Sequence, residues 1–311
     1  MYPLPPQAEE TQNQAKLIVN IVIVVFLVLG LLLILQHFHF LFLGDVPVLG
    51  DWLMDMYERI FGPPHILILH GDNSIGDWVT VRNRLAEELI FVSEELDIRT
   101  AGSELKILLP RYSLVIVEDC RTMDKTILLN LDEYVAGGGN IIWVGDAGTI
   151  GDVTYNGQQI ARQGGWDRDI VCVNKQTMLS CNCSTVKAGS DCIVQDDKAE
   201  QTKLTFSNRL GVSFLENVEA SEPVMNIVDT RHWVVLGLLR SFTLKNVDLF
   251  ASVDPKYDAG RLANIVDDDG KIYPGVVIQD KFGSSGMVVY FAYAPEETME
   301  ILKPLVERLR Y

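Results

Sequence analysis

The residues able to do chemistry in this 311-residue chain fall into two groups. The first follows short apolar runs: Asp72 and Asn73 after residues 66–69, Glu118, Asp119, Cys120 and Arg121 after 114–117, and Asp146 after 141–144. Carboxylates gathered along one sheet edge would suit a hard cation such as Ca2+, or would cap the helices that follow and face water. No ligand spacing of the EF-hand kind occurs, so capping is the favoured reading and no metal or cofactor is expected. Cys120 stands beside Arg121, whose charge would lower a thiol pKa and favour a nucleophilic thiolate. Against that, free cysteine is among the most buried residue types, and a strand-end thiol is usually inert.

The second group is Cys172, Cys181, Cys183 and Cys192, spaced C-x8-C-x-C-x8-C in a polar stretch, 151–197, that has no hydrophobic period. Zinc sites usually pair their cysteines as C-x2-C, and none occurs here. Bridging Cys181 to Cys183 is geometrically poor, which leaves 172–181 with 183–192, or 172–183 with 181–192. Two such disulfides imply an oxidising compartment. Asn182-Cys183-Ser184 is also a glycosylation sequon, with Asn182 as acceptor. Both features favour a position outside the cytoplasm.

The elements around these groups begin with a membrane segment. Residues 17–35 read LIVNIVIVVFLVLGLLLIL, with only Asn20 clearly polar, and the apolar run resumes to Leu43. As a helix, 17–43 would reach about 40 Å, enough to cross a bilayer core. A cleavable signal peptide would need a basic start and a shorter core. An uncleaved anchor after a short tail (1–16) is therefore expected. Next, 44–62 carries Leu49, Trp52, Leu53, Met56, Tyr57 and Ile60 at helical spacing. This amphipathic stripe would lie either in the headgroup layer or against the soluble domain.

From residue 63 to 311 the pattern alternates between continuous apolar runs and helical periodicity. Strands are expected at 65–70, 97–100, 114–117, 140–144 and 287–293, and helices at 77–92, 123–135, 198–210 and 295–310. A hairpin is expected through Asp269-Gly270, with Pro274 confining its second strand to a sheet edge. The alternation implies an α/β fold with a flavodoxin-like, doubly wound parallel sheet carrying a small disulfide-rich insert. Ligands in such sheets sit beyond the strand C-termini, where Asp72, Asn73, Glu118, Asp119, Arg121 and Asp146 fall.

The series from His65 to Thr149, and that from Met287 to Glu296, resemble the class I glutamine amidotransferase-like superfamily. In that family a helix ending in Gly-Gly leads into a strand and an elbow G-x-C-x-G. The segment here runs from Tyr134 to Gly148 and ends V-G-D-A-G, so Asp146 stands at the position of the nucleophilic cysteine. The family's F-H-P-E motif has its counterpart in Tyr293-Ala294-Pro295-Glu296: the glutamate is kept and the basic histidine is Ala294. Trehalose-utilisation-type branches are the nearer likeness, and His232-Trp233-Val234-Val235-Leu236-Gly237 resembles their H-P-[IV]-x-x-G segment. Acyl transfer needs a thiolate and a base within hydrogen-bond reach, and both are replaced. The resemblance thus implies a binding domain in which Asp146 and Glu296 contribute to a ligand edge, and Asp146→Asn is expected to leave the fold intact. The rival expectation is a hydrolase or transferase using Cys120 or the acidic edge.

The balance of 42 acids to 26 bases, a net charge of −16, would repel a nucleic-acid backbone. The partners expected are the lipid bilayer, through 17–43, and other proteins or further copies of the chain at the membrane.

Overall fold

The computed structural model describes residues 6–37, 46, 49–61, 65–71, 74–89, 93–155, 158–163, 170–174, 192–196, 206–256, 259–279 and 286–310. Internal contacts divide the chain into two units, Met1–Pro64 with Tyr311, and His65–Arg310.

In the first unit, helix α1 spans Pro6–His37. The helix starts well before the apolar run, so most of the expected N-terminal tail is helical. Within it Lys16–Leu35 is long and apolar enough to cross a membrane, and none of that stretch is buried. The same length and composition also suit a signal sequence. Residues 38–43 of the expected span lie outside the described residues. Helix α2, Gly50–Phe61, packs Leu53 and Tyr57 against Leu29, Leu32 and Leu33 of α1 and against Val46.

The second unit is mixed α/β. In chain order it runs β1 (Ile66–His70), α3 (Trp78–Leu89), β2 (Glu94–Asp97), α4 (Ile98–Ala101), α5 (Leu105–Leu108), β3 (Leu114–Val117), β4 (Thr122–Asp124), α6 (Lys125–Ala136) and β5 (Asn140–Val144). It continues with β6 (Ile150–Tyr155), β7 (Gln158–Gln163), β8 (Ile170–Asn174), β9 (Cys192–Asp196), α7 (Phe206–Leu210) and β10 (Val212–Glu219). The last elements are β11 (Val224–Ile227), β12 (Ser241–Thr243), β13 (Leu249–Pro255), β14 (Gly260–Val266), β15 (Ile272–Gln279), β16 (Val288–Phe291) and α8 (Met299–Leu309).

A nine-stranded sheet in the order β12-β11-β14-β15-β16-β5-β3-β1-β2 forms the frame. Pairing is parallel from β2 through β1, β3 and β5 to β16. It is antiparallel from β16 out to β12. The expected all-parallel sheet is therefore correct for one half only. The β1, β3, β5 and β16 runs are buried on both faces, as continuous Val/Ile/Leu sequences require. Trp143, Tyr290 and Phe291 are among the fully buried side chains of this frame.

Several sequence expectations change. The strand expected at 97–100 ends at Asp97, whose carboxylate accepts from the Arg99 backbone N–H at 2.9 Å and starts the helical turn α4. Residues 122–124 form β4 before α6 begins, because Asp124 caps that helix through the Thr126 N–H at 2.6 Å. Only Phe206–Leu210 of the helix expected at 198–210 is described, and Gly211 follows it with φ +71°. Pro274 lies in the interior strand β15, not at an edge. It is tolerated because the register of β14 shifts opposite it and the β16 ladder begins only at Val276. The expected terminal helix divides into a 3₁₀ turn, Pro295–Thr298, and α8, with Pro304 inside the latter.

The insert is not irregular. Strands β6 to β9 join β4 in a five-stranded sheet, with β4 parallel to β6 and the other neighbours antiparallel. Cys172 and Cys192 lie on the neighbouring strands β8 and β9, opposite Val194 and Asn174 respectively. Cys181, Cys183 and Asn182 lie outside the described residues.

Candidate functional site: the elbow after strand β5

The C-terminal ends of β1, β3, β5 and β16 bring four connections together: 71–77, 118–121, 145–149 and 292–298. At the centre is the turn after β5. Gly145 has φ +55° and Gly148 φ +65°, which a side chain would resist. A Cβ on Gly145 would stand 2.5 Å from the Ile75 Cβ, so glycine is also required by space. The turn is tied on every side. The Gly145 N–H donates to the Phe291 carbonyl at 2.7 Å, and the Tyr290 hydroxyl to the Gly145 carbonyl at 2.8 Å. The Trp143 indole donates to the Ala147 carbonyl at 3.0 Å, and the Gly148 N–H to that of Cys120 at 2.8 Å.

Asp146 is buried to 1% exposure at this turn. Its Oδ1 accepts from the Ser74 hydroxyl at 2.5 Å and from the Ile75 N–H at 3.1 Å. Its Oδ2 accepts from the Asn217 side-chain amide at 2.8 Å and lies 3.2 Å from Nε of Arg121. Three donors hydrogen-bond this carboxylate and a guanidinium is ion-paired with it, so it is a stabilised anion that ties elements together and a poor nucleophile. The sequence expectation for Asp146→Asn is therefore corrected. An amide would turn donors toward donors, and the fold itself would suffer.

The other edge residues divide. Asp119 has φ +49°, and its Oδ1 accepts from the Ser74 N–H at 2.9 Å. Arg121 reaches Asp146 while its own side chain stays half exposed. Asp72 and Asn73 lie outside the described residues. Cys120 is fully buried, and a Cβ on Gly71 would stand 3.0 Å from its own Cβ, leaving the thiol no approach for a substrate.

Glu118 and Glu296 meet below the turn. Glu118 is fully buried and Glu296 nearly so. Glu296 Oε1 accepts from the Asp77 N–H at 3.0 Å, at the start of α3. No other N–H or O–H reaches either oxygen of Glu118 or Oε2 of Glu296. Burial above all, then the charges of Glu296, Asp119 and Asp77, raises the Glu118 pKa well above the usual carboxylate range. Burial also raises that of Glu296, while hydrogen bonds from the backbone and from Glu118 oppose the rise. The pair keeps a proton where exposed carboxylates have lost theirs. Gly76, with φ +105°, makes room for it, since a Cβ there would collide with the Glu118 carboxyl.

Ala294 precedes the 3₁₀ turn that carries Glu296, and its methyl can accept no proton. His232 accepts from the Val234 N–H at 3.4 Å and so caps the turn Trp233–Val235, with the Arg308 guanidinium 4.4 Å over the Trp233 ring. Among the described residues no group of three or more His, Cys, Asp or Glu side chains is arranged to hold a metal ion. The residues that sequence reasoning missed are Ser74, Asn217, Trp143 and Tyr290. Nothing local marks Ser74, Asn217 and Tyr290, because each acts across a long stretch of chain, whereas Trp143 reaches only four residues on, to Ala147.

No protein-family model matches the sequence, and no curated protein does. Among solved structures, a cold-adapted β-galactosidase from Rahnella sp. R3 is similar at a TM-score of 0.50 and 15% identity, over 84% of this chain and 34% of that one. This likeness concerns the fold alone, and the chain spans about a third of that protein's length. ThuA-like proteins from Bacteroides uniformis and Parabacteroides merdae align at TM-scores of 0.45 and 0.40, with 12% and 15% identity. The alignments cover 80% and 74% of this chain and 91% and 79% of theirs.

Proposed function

We propose that the protein is a single-pass, membrane-anchored, non-catalytic amidotransferase-like domain that works by binding, as a scaffold or as a subunit of a membrane complex. The observation that supports this reading is the buried Asp146 carboxylate, held by three hydrogen bonds and an ion pair. The elbow keeps its strained glycine turn, yet the side chain at the nucleophile position is consumed by Ser74, Ile75, Asn217 and Arg121. Ala294 at the base position agrees with it. Reaction would need a thiolate and a base together, and restoring one alone would not suffice. The test is ammonia release from glutamine by the purified full chain. No release above buffer is expected; release above buffer by the wild-type chain, lost on heat denaturation, would overturn the reading.

The membrane anchor is 17–43, and the domain after it lies outside the cytoplasm. Support comes from the unburied apolar surface of α1 and from the four clustered cysteines. Non-reducing mass mapping is expected to find Cys172, Cys181, Cys183 and Cys192 oxidised and Asn182 glycosylated where the host has that machinery. Four alkylatable thiols in native protein would overturn the location.

A further inference from the structure

Helix α2 carries a broader apolar arc than α1 covers. Leu53 and Tyr57 are buried against Leu29, Leu32 and Leu33, with Met56 packed beside them. Leu49, Trp52 and Ile60, which share the adjoining stripe at i, i+3 and i+11, remain 51%, 53% and 57% exposed. The three α1 residues that α2 packs on belong to Lys16–Leu35, the stretch long and apolar enough to cross a membrane, and lie in its last two turns. A helix with a large apolar face packed there is placed to seat its remaining apolar side chains in the bilayer as an amphipathic helix does.

We propose that α2 is an in-plane membrane helix, held along the last turns of α1, with Leu49, Trp52 and Ile60 buried among the upper acyl chains of the bilayer. This rests on α1 spanning the membrane. The occupant is lipid because α2 packs directly on the stretch of α1 that is long and apolar enough to cross a membrane. The segment 50–61 holds three acids, Asp51, Asp55 and Glu58, against the single base Arg59, so attraction to anionic headgroups contributes nothing to its seating. Apolar contact and the aromatic side chain at the interface do so instead.

The experiment uses the full chain reconstituted in phosphatidylcholine vesicles. Flotation and resistance to alkaline washing report on α1. The signal of Trp52, one of five tryptophans, is isolated as the difference between wild-type and Trp52→Phe fluorescence. Acyl chains brominated near the headgroup are expected to remove at least half of that signal, and aqueous acrylamide little of it. Quenching by acrylamide but not by bromine, in protein that floats, would overturn the proposal and leave the anchor standing. Shielding from both quenchers would mean that protein covers the stripe, which also overturns it. Protein that does not float would overturn the anchor reading itself.

Discussion

Nε of Arg121 lies 3.2 Å from Oδ2 of Asp146, joining the connection after β3 to the turn after β5 by a half-exposed cation on a buried anion. Asn217 of β10 completes the same oxygen, so three separated pieces of chain depend on one carboxylate. The turn after β5 acts as a clasp.

Asp146→Asn should cost about 3 kcal/mol, since two acceptor contacts to charged or amide donors are lost in a buried place. Urea unfolding of the full chain in detergent would read it. A double-mutant cycle with Arg121→Met should show a coupling of about 1 kcal/mol or more. Wild-type stability in Asp146→Asn would show that the clasp carries no weight.

The Glu118–Glu296 pair should make stability fall with rising pH. Both carboxyls have folded pKa values above their ordinary 4.5, so the folded state holds more protons than the unfolded one. Their contribution is fully present below about 4.5 and is lost as the pH climbs through the raised folded values. Glu118→Gln keeps a neutral, hydrogen-bonding group in that place. It should flatten the slope and raise the urea midpoint at pH 8, with little change at pH 4. A variant that steepens the slope would contradict the raised pKa values of the pair.

Gly145→Ala should destabilise by at least about 2 kcal/mol, through its positive φ and the clash with Ile75. Gly270 also has positive φ, +78°, but open space around it. Its alanine variant should cost only about 1 kcal/mol. Equal losses at the two positions would mean that Ile75 moves aside freely.

Cys120 should resist maleimide in the native protein and react once urea unfolds it, because its side chain is fully buried. Rapid labelling of native protein at this position would reopen the thiol as a nucleophile.

Much of this protein is determined by sequence alone. Short, largely β-branched apolar runs without alternation at 66–69, 114–117, 141–144 and 288–291 read as strands covered on both faces, and they form the core of the parallel half of the sheet. Glycines 145 and 148 mark the elbow, because only a residue without Cβ settles there easily. The acids after the strands were legible as an edge, and the long unburied apolar stretch of α1 stands out by composition. Periodicity, however, reports which face of an element is covered, not which group covers it. That Asp146 is held by Ser74 and Asn217, and that the charge of Glu296 adds to the burial cost of Glu118, depends on contacts between residues far apart in the chain. The antiparallel half of the sheet and the interior position of Pro274 are likewise decided by which strand lies alongside. The polar insert becomes a sheet for the same reason: β6 finds a partner in β4, and backbone hydrogen bonds need no hydrophobic pattern to form.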